Sequence, residues 1–211
     1  MPVEIIFQIA VLVMSVVIHE VSHGCAAGLL GDPTAKLAGR LTLNPVRHID
    51  PFGSVILPLI FALLPGGIIF GWAKPVPFNP YNLKGGKWGP ALVALAGPAS
   101  NLLIAAIFGL SLRFGLTAGL ISPLAGQFIA LIVMMNLVLA IFNLIPIPPL
   151  DGSKILFAAL PYNLRHIEDA VMRYQLLLII LVIYFAGYIL SPIAGTLFYL
   201  LVGDTALLGL R

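Results

Sequence analysis

The chain has 211 residues, of which 60% are hydrophobic and only 9% charged, and its mean hydropathy of +1.08 excludes a water-soluble globule, which needs more polar surface at this size. The net charge of +3 comes from Lys and Arg gathered in loops, a pattern that suits membrane topology and argues against nucleic-acid binding. The single cysteine, Cys25, excludes both an intramolecular disulfide and a Cys-rich zinc module.

The first expected element is a helix over 3–30, ended by Gly31-Asp32-Pro33, because Gly permits the turn and Pro disfavours further helix. From Ile5 to Leu30 it holds no Lys or Arg and reads as a membrane span. A cleaved signal peptide is not expected, since no basic n-region precedes the apolar run and Ser22-His23-Gly24-Cys25 is a poor lipoprotein processing box. The second half of this span contains His19-Glu20-Val21-Ser22-His23, an HExxH pentapeptide. Residues four apart share a helix face, so His19 and His23 can aim ring nitrogens at one metal while Glu20 reaches a water bound there. Ionisable groups left idle at membrane depth would each cost on the order of 1 kcal/mol or more, which favours a working metal site.

Residues 33–50 are polar and turn-rich, and Asp50-Pro51 reads as an N-cap followed by a first-turn Pro. The apolar stretch 52–70, interrupted by Pro58 and Pro65-Gly66-Gly67, is expected as a short span or a re-entrant hairpin. A polar segment over 71–89 leads to two spans at 90–112 and 123–145, joined by a link beginning at Arg113-Phe114-Gly115. The second runs into Pro146-Ile147-Pro148-Pro149-Leu150-Asp151-Gly152, where three prolines break regular helix. After a polar stretch a further span covers 174–190, and Ser191-Pro192 opens a last apolar segment, 193–202, too short to cross alone. The expected fold class is an all-α polytopic membrane protein with about four to six membrane segments and a helix broken at Leu150-Asp151-Gly152. A single membrane-embedded domain is expected over 1–211, with a core at 3–160 and C-terminal helical segments at 174–211.

Catalytic zinc takes three protein ligands and leaves a position for water. The third is sought among the remaining acids, His48 and His166, and Asp151 differs from these by following a long span at its Pro-broken end beside Gly152. His48 and His166 lie in polar loops and are expected to be solvated or capping. Cys25 is expected as a small packing residue, Gly24 and Gly28 as places where a neighbouring helix approaches, and Trp72 and Trp88 as interfacial anchors.

The segment Asn143-Leu144-Ile145-Pro146-Ile147-Pro148-Pro149-Leu150-Asp151-Gly152, paired with HExxH in an earlier span, resembles the site-2 protease family of intramembrane zinc metalloproteases. The resemblance extends to Asn44-Pro45, Ile49-Asp50-Pro51-Phe52-Gly53, Gly71-Trp72-Ala73-Lys74-Pro75-Val76-Pro77 and Ala96-Gly97-Pro98-Ala99-Ser100-Asn101, and is to the short prokaryotic branch without PDZ or CBS modules. It implies that His19, His23 and Asp151 hold one zinc ion per chain and that Glu20 is the catalytic acid-base. Glu20 would deprotonate the attacking water and return the proton to the leaving amine. Asn143 is a candidate oxyanion donor, its alternative being an interhelical hydrogen bond. The expected partner is a transmembrane-helix substrate in the lipid bilayer, unwound locally and received along 68–76 as an added strand; no nucleic acid is expected, and a homo-oligomer is left open.

For Asp151 to reach a metal on the first span, that span and 123–145 should run parallel. The basic loops 31–51, 71–89 and 153–173 then share one side, with three Lys or Arg each against Arg113 on the other, and the positive-inside rule puts the active site toward the cytoplasm of a prokaryotic cell membrane. The alternative function is a non-proteolytic metal-binding scaffold or a metal transporter. A scaffold would be expected to lose Glu20 or a ligand, and a transporter would need a polar path; outside the motifs the spans hold only isolated Ser, Thr, Asn and Gln.

Overall fold

The computed structural model describes residues 2–56 and 73–203. Over these it contains α1 (Pro2–Leu29), α2 (Thr34–Leu37), α3 (Gly89–Thr117), α4 (Pro123–Leu144), α5 (Asp151–Ala159), α6 (Arg165–Arg173) and α7 (Gln175–Val202), with short 3-10 turns between them, a π turn at Pro51–Ile56 and no strand. Four of the helices, α1, α3, α4 and α7, are long and apolar enough to cross a membrane, so this is an all-α polytopic membrane protein. Most of the expected hairpin at 52–70, with Trp72 and 204–211, lies outside the described residues.

Packing fixes the direction of each span. His23 meets Val93 and His19 meets Asn101, so α1 and α3 are antiparallel. Phe7 stacks edge-on against Phe128 and Ser15 meets Asn136, so α1 and α4 run parallel, as the placement of the two motifs requires. Helix α3 is central and packs on α1, α4, α5 and α7. Away from the motifs, Ala105 and Leu112 of α3, Ala130, Val133 and Leu137 of α4, and Ala194, Phe198 and Val202 of α7 form one buried cluster. Small residues alternating with large ones let these spans interlock, which is how helices associate where lipid removes the hydrophobic drive.

Two boundaries differ from the sequence expectation. The span expected to stop at 112 continues to Thr117, and within it the exposed Arg113 donates from Nη1 to the Leu200 carbonyl near the end of α7, 3.2 Å away. Ser191-Pro192 does not open a new segment either; α7 runs through it. Proline removes one helical N–H, but every other backbone group in lipid still needs an internal partner, and Ala194, Phe198 and Val202 pack the helix onto the core beyond the proline. Gly24 also differs from its expected use. A Cβ there would meet Leu41 Cδ2 at 2.5 Å and Val76 Cγ1 at 2.9 Å, so it admits loop side chains in place of a neighbouring span, while Gly28 faces open space.

Helix α1 ends at Gly31, whose φ of +105° suits glycine, while the Asp32 N–H returns to the Ala27 carbonyl at 2.9 Å. The buried Asp32 carboxylate then gathers the distant segment that follows the undescribed stretch. Its Oδ2 accepts from the Asn79 N–H at 2.6 Å, and its Oδ1 from Asn82 Nδ2 at 2.9 Å and from the Thr34 hydroxyl at 2.6 Å. Burial would push this carboxyl up, but the donors of Thr34, Asn82 and Asn79 outweigh it and hold it at about 2. The lowered value means that its stabilisation is complete above the ordinary carboxylate pKa of about 3.9 and is lost as pH falls through about 2. Asp32→Ala is expected to cost about 1–3 kcal/mol. Thermal melting in detergent should show a lower transition for the variant at pH 7 and a smaller gap from wild type toward pH 2.

Candidate metal centre

The site is assembled from the second half of α1, the first turns of α3 and the break between α4 and α5. Nε2 of His19 and Nε2 of His23 lie 3.0 Å apart, and each lies 3.1 Å from Oδ2 of Asp151. All three residues are buried, with 6–8% of their surface exposed. They are the one group of metal-capable side chains found among the described residues.

Each partner has a local cause. The histidines share a face of α1 by their four-residue spacing. Asp151 arrives because α4 ends at Leu144, the chain turns through 145–150, and α5 restarts at Asp151 itself. Gly152 makes that return feasible: a Cβ there would collide with the Leu144 carbonyl and approach the Ile145 carbonyl oxygen to 2.6 Å, so the new helix crosses the old one at backbone contact.

The protonation of the imidazoles follows from their outer neighbours. His23 Nδ1 lies 2.7 Å from the Val93 carbonyl, an obligate acceptor, so Nδ1 carries the hydrogen. His19 Nδ1 lies 2.7 Å from Asn101 Oδ1 and donates to it. Both Nε2 atoms therefore present lone pairs toward Asp151. Lys154 Nζ is 3.2 Å from Asp151 Oδ1, which leaves Oδ2 for the histidines.

Three acceptor atoms about 3 Å apart repel one another unless a cation lies among them, and one proton can bridge only a single pair. Zinc ligands at roughly 2.0–2.1 Å in a tetrahedron stand about 3.3 Å apart, close to the separations here. The donor set, two neutral imidazoles and one carboxylate, fits zinc and leaves a fourth position open.

Glu20, half-buried, points to another feature: its Oε2 accepts the Val76 N–H at 2.8 Å. Val76 belongs to a strap without regular secondary structure, 73–79, which Arg40 also holds through the Lys74 carbonyl at 2.6 Å and the His48 carbonyl holds through the Lys74 N–H at 2.9 Å. Asn143 Nδ2 donates to the Leu139 carbonyl of its own helix, 2.9 Å away. His48, expected in a polar loop as a solvated or capping residue, is buried at 2% exposure with Nε2 on the Thr42 carbonyl, 2.9 Å away. Cys25, expected as a packing residue, is exposed. His166 remains in an exposed turn with Nδ1 on the Asn163 carbonyl, as expected.

Residues that the sequence reading gave no role complete the centre. Gly97 lies against both imidazoles: a Cβ there would stand 2.5 Å from His23 Cε1 and 2.6 Å from His19 Nε2. Its signal was the Ala96–Asn101 run, which carried resemblance but no assigned chemistry. Val93 contributes only a carbonyl, for which the sequence has no letter.

Comparison with known proteins agrees with this arrangement. The profile of "Peptidase family M50" matches residues 117–187, which include Asp151. A Bacillus subtilis protein named "Putative zinc metalloprotease YwhC" is 35% identical over 198 residues, covering 88% of this chain and 84% of its own length. Proteins named "Putative zinc metalloprotease Rip2" from Mycolicibacterium smegmatis and Mycobacterium tuberculosis are 34% and 32% identical over 70% and 76% of this chain. The chain spans only 54% and 58% of those two relatives. No solved structure matches.

Gly97→Ala drives a methyl group into both imidazoles and is expected to weaken zinc binding by at least about tenfold, the order that misplaced ligands cost. Zinc affinity measured by chelator competition checks this, and unchanged affinity would show that the rings have room to move.

Proposed function

We propose, from the premise that the chain belongs to peptidase family M50 and is a site-2-type zinc metalloprotease, that it cleaves peptide bonds within or next to transmembrane segments of other membrane proteins. The observation that carries this reading is the convergence of His19, His23 and Asp151 from two parallel spans, at a depth about ten residues, or roughly 15 Å, from the end of α1. A substrate reaching this depth is itself a membrane segment.

His19 and His23 through Nε2, and Asp151 through Oδ2, would hold one zinc ion. Bound there, zinc supplies a Lewis acid for the scissile carbonyl and brings the pKa of its water near neutrality. Glu20 takes a proton from the attacking water onto its carboxylate and delivers it to the leaving nitrogen. The Val76 N–H on Oε2 holds this carboxylate in place while the other oxygen handles the proton. One amide hydrogen of Asn143 is engaged by Leu139, and the other serves the oxyanion.

The substrate helix unwinds before cleavage, because helical carbonyls are engaged within their own helix. The strap supports a docking mode: Pro75, Pro77 and Pro80 bias Lys74, Val76 and Asn79 before them toward extended backbone, and Glu20 ties the strap directly to α1. A substrate strand laid along it would be carried past the cluster. The basic loops lie on the side of the cluster, which supports a cytoplasmic-facing site in a prokaryotic cell membrane. The substrate's release from membrane tethering is the regulated step this chemistry serves.

Purified wild-type protein is expected to carry about one zinc per chain, with Asp151→Ala sharply depleted, since two imidazoles alone leave the site incomplete. Glu20→Gln is expected to keep its zinc and lose about 10²–10⁴-fold in cleavage of a single-span substrate in proteoliposomes. A wild type without zinc after supplementation, or a Glu20→Gln enzyme that cleaves normally, would overturn the reading.

A further inference from the structure

A buried polar chain runs outward from His19 through three spans. Asn101 of α3 and Asn136 of α4 are fully buried, with 0% exposure, and Ser15 of α1 lies beside them. Asn136 Nδ2 donates to the Ile132 carbonyl at 2.9 Å and to Ser15 Oγ at 3.0 Å. A backbone carbonyl cannot donate, so this amide has one orientation, with Oδ1 turned toward α3. Asn101 Nδ2 in turn donates to Asn136 Oδ1 at 2.8 Å and to the Ser15 carbonyl at 3.3 Å. Its Oδ1 therefore faces His19 and can only accept.

We propose that Asn101 and Asn136 are positioning residues that select the metal-binding tautomer of His19. The inference rests on the zinc assignment above. An Asn101 amide rotated by half a turn would present NH₂ to His19 Nδ1, moving the ring hydrogen to Nε2 and removing the lone pair that the metal needs. Asn136 blocks this rotation without touching any ligand, since rotation would set the Asn101 oxygen against the Asn136 oxygen. His23 needs no such device, because the Val93 carbonyl has no second orientation. The isolated asparagines of two spans are thus linked to the metal through a single imidazole, at a depth where an unpaired amide would be costly.

The test is zinc affinity by chelator competition on the full chain in detergent, with melting of the metal-free protein recorded for every variant. Asn101→Leu removes the acceptor and is expected to weaken zinc about 10–100-fold. Asn101→Asp, which can only accept from His19, is expected to remain within about threefold of wild type while melting lower, because it no longer donates to Ser15 and Asn136. Asn136→Leu leaves only the longer bond to the Ser15 carbonyl to orient the Asn101 amide and is expected to weaken zinc about fivefold, the effect of one hydrogen bond; adding Asn101→Asp to it should restore affinity. If Asn101→Leu fails to fold, Asn136→Leu against Asn136→Asp decides, since the aspartate keeps an acceptor for Asn101 and should bind zinc as wild type does. Wild-type affinity in both leucine variants, or equal losses in Asn101→Asp and Asn101→Leu, would overturn the inference alone. A wild type that binds no zinc would overturn the ligand assignment beneath it.

Discussion

Three lone pairs held 3.0–3.1 Å apart in a buried site are the constraint on which the rest of this structure depends. Left without a cation they repel, and each must be held against that repulsion by something rigid. The protein uses backbone where it can: the Val93 carbonyl fixes His23, and the Leu144 carbonyl sits where a Gly152 side chain would be. Where it uses a side chain, that side chain is oriented by carbonyls of other spans, as Asn101 is by Ser15 and, through Asn136, by Ile132. Helix α3 is central for this reason, since it brings Val93, Gly97 and Asn101 to the two imidazoles from one face.

The same requirement explains what could be read from the sequence. His19, Glu20 and His23 were legible because ligand chemistry and helical spacing coincide in five residues, and Asp151 because it stands at a proline break after a long apolar span. The parallel arrangement of α1 and α4 followed from the position of those motifs within their spans. Gly97 and Val93 were not legible, because one works through an absent side chain and the other through a main-chain carbonyl. Asn101 and Asn136 looked like isolated polar residues in apolar helices, and only their spatial juxtaposition joins them. Ser191-Pro192 misled for a related reason: local chemistry favours a break there, whereas the packing of Ala194, Phe198 and Val202 holds the helix through it.

Outside the spans, a second set of polar contacts holds the strap 73–79 to the catalytic helix. Asp32 takes its far end through Asn79, Arg40 and His48 take its near end through Lys74, and Glu20 takes its middle through Val76. Gly24 clears room for the buried Val76 side chain directly beneath. The Glu20 carboxylate is therefore placed by both systems: by α1 through its position next to His19, and by the strap through a backbone N–H. The strap's own register depends on Asp32, Arg40 and His48, which follow His23 in the chain, so loop and metal centre form one mechanical unit.

The burial of these groups indicates how water reaches a site inside a membrane protein. The three candidate ligands are almost closed off, whereas the Lys154 side chain beside Asp151 is 38% exposed and Glu20 is half-buried. Lys154 also lies 5.8 Å above the Phe78 ring of the strap, so the more open groups gather between strap and α5. The opposite flank of the cluster is Asn101 and Asn136, fully buried and with their amides bonded within the protein. A charged lysine and an acid-base carboxylate need water nearby, while an amide that sets a tautomer needs water excluded, since a water could accept or donate in either orientation. The site is thus open on the side of Glu20 and Lys154, where protons can exchange, and closed on the side of Asn101 and Asn136, where one proton must stay in place.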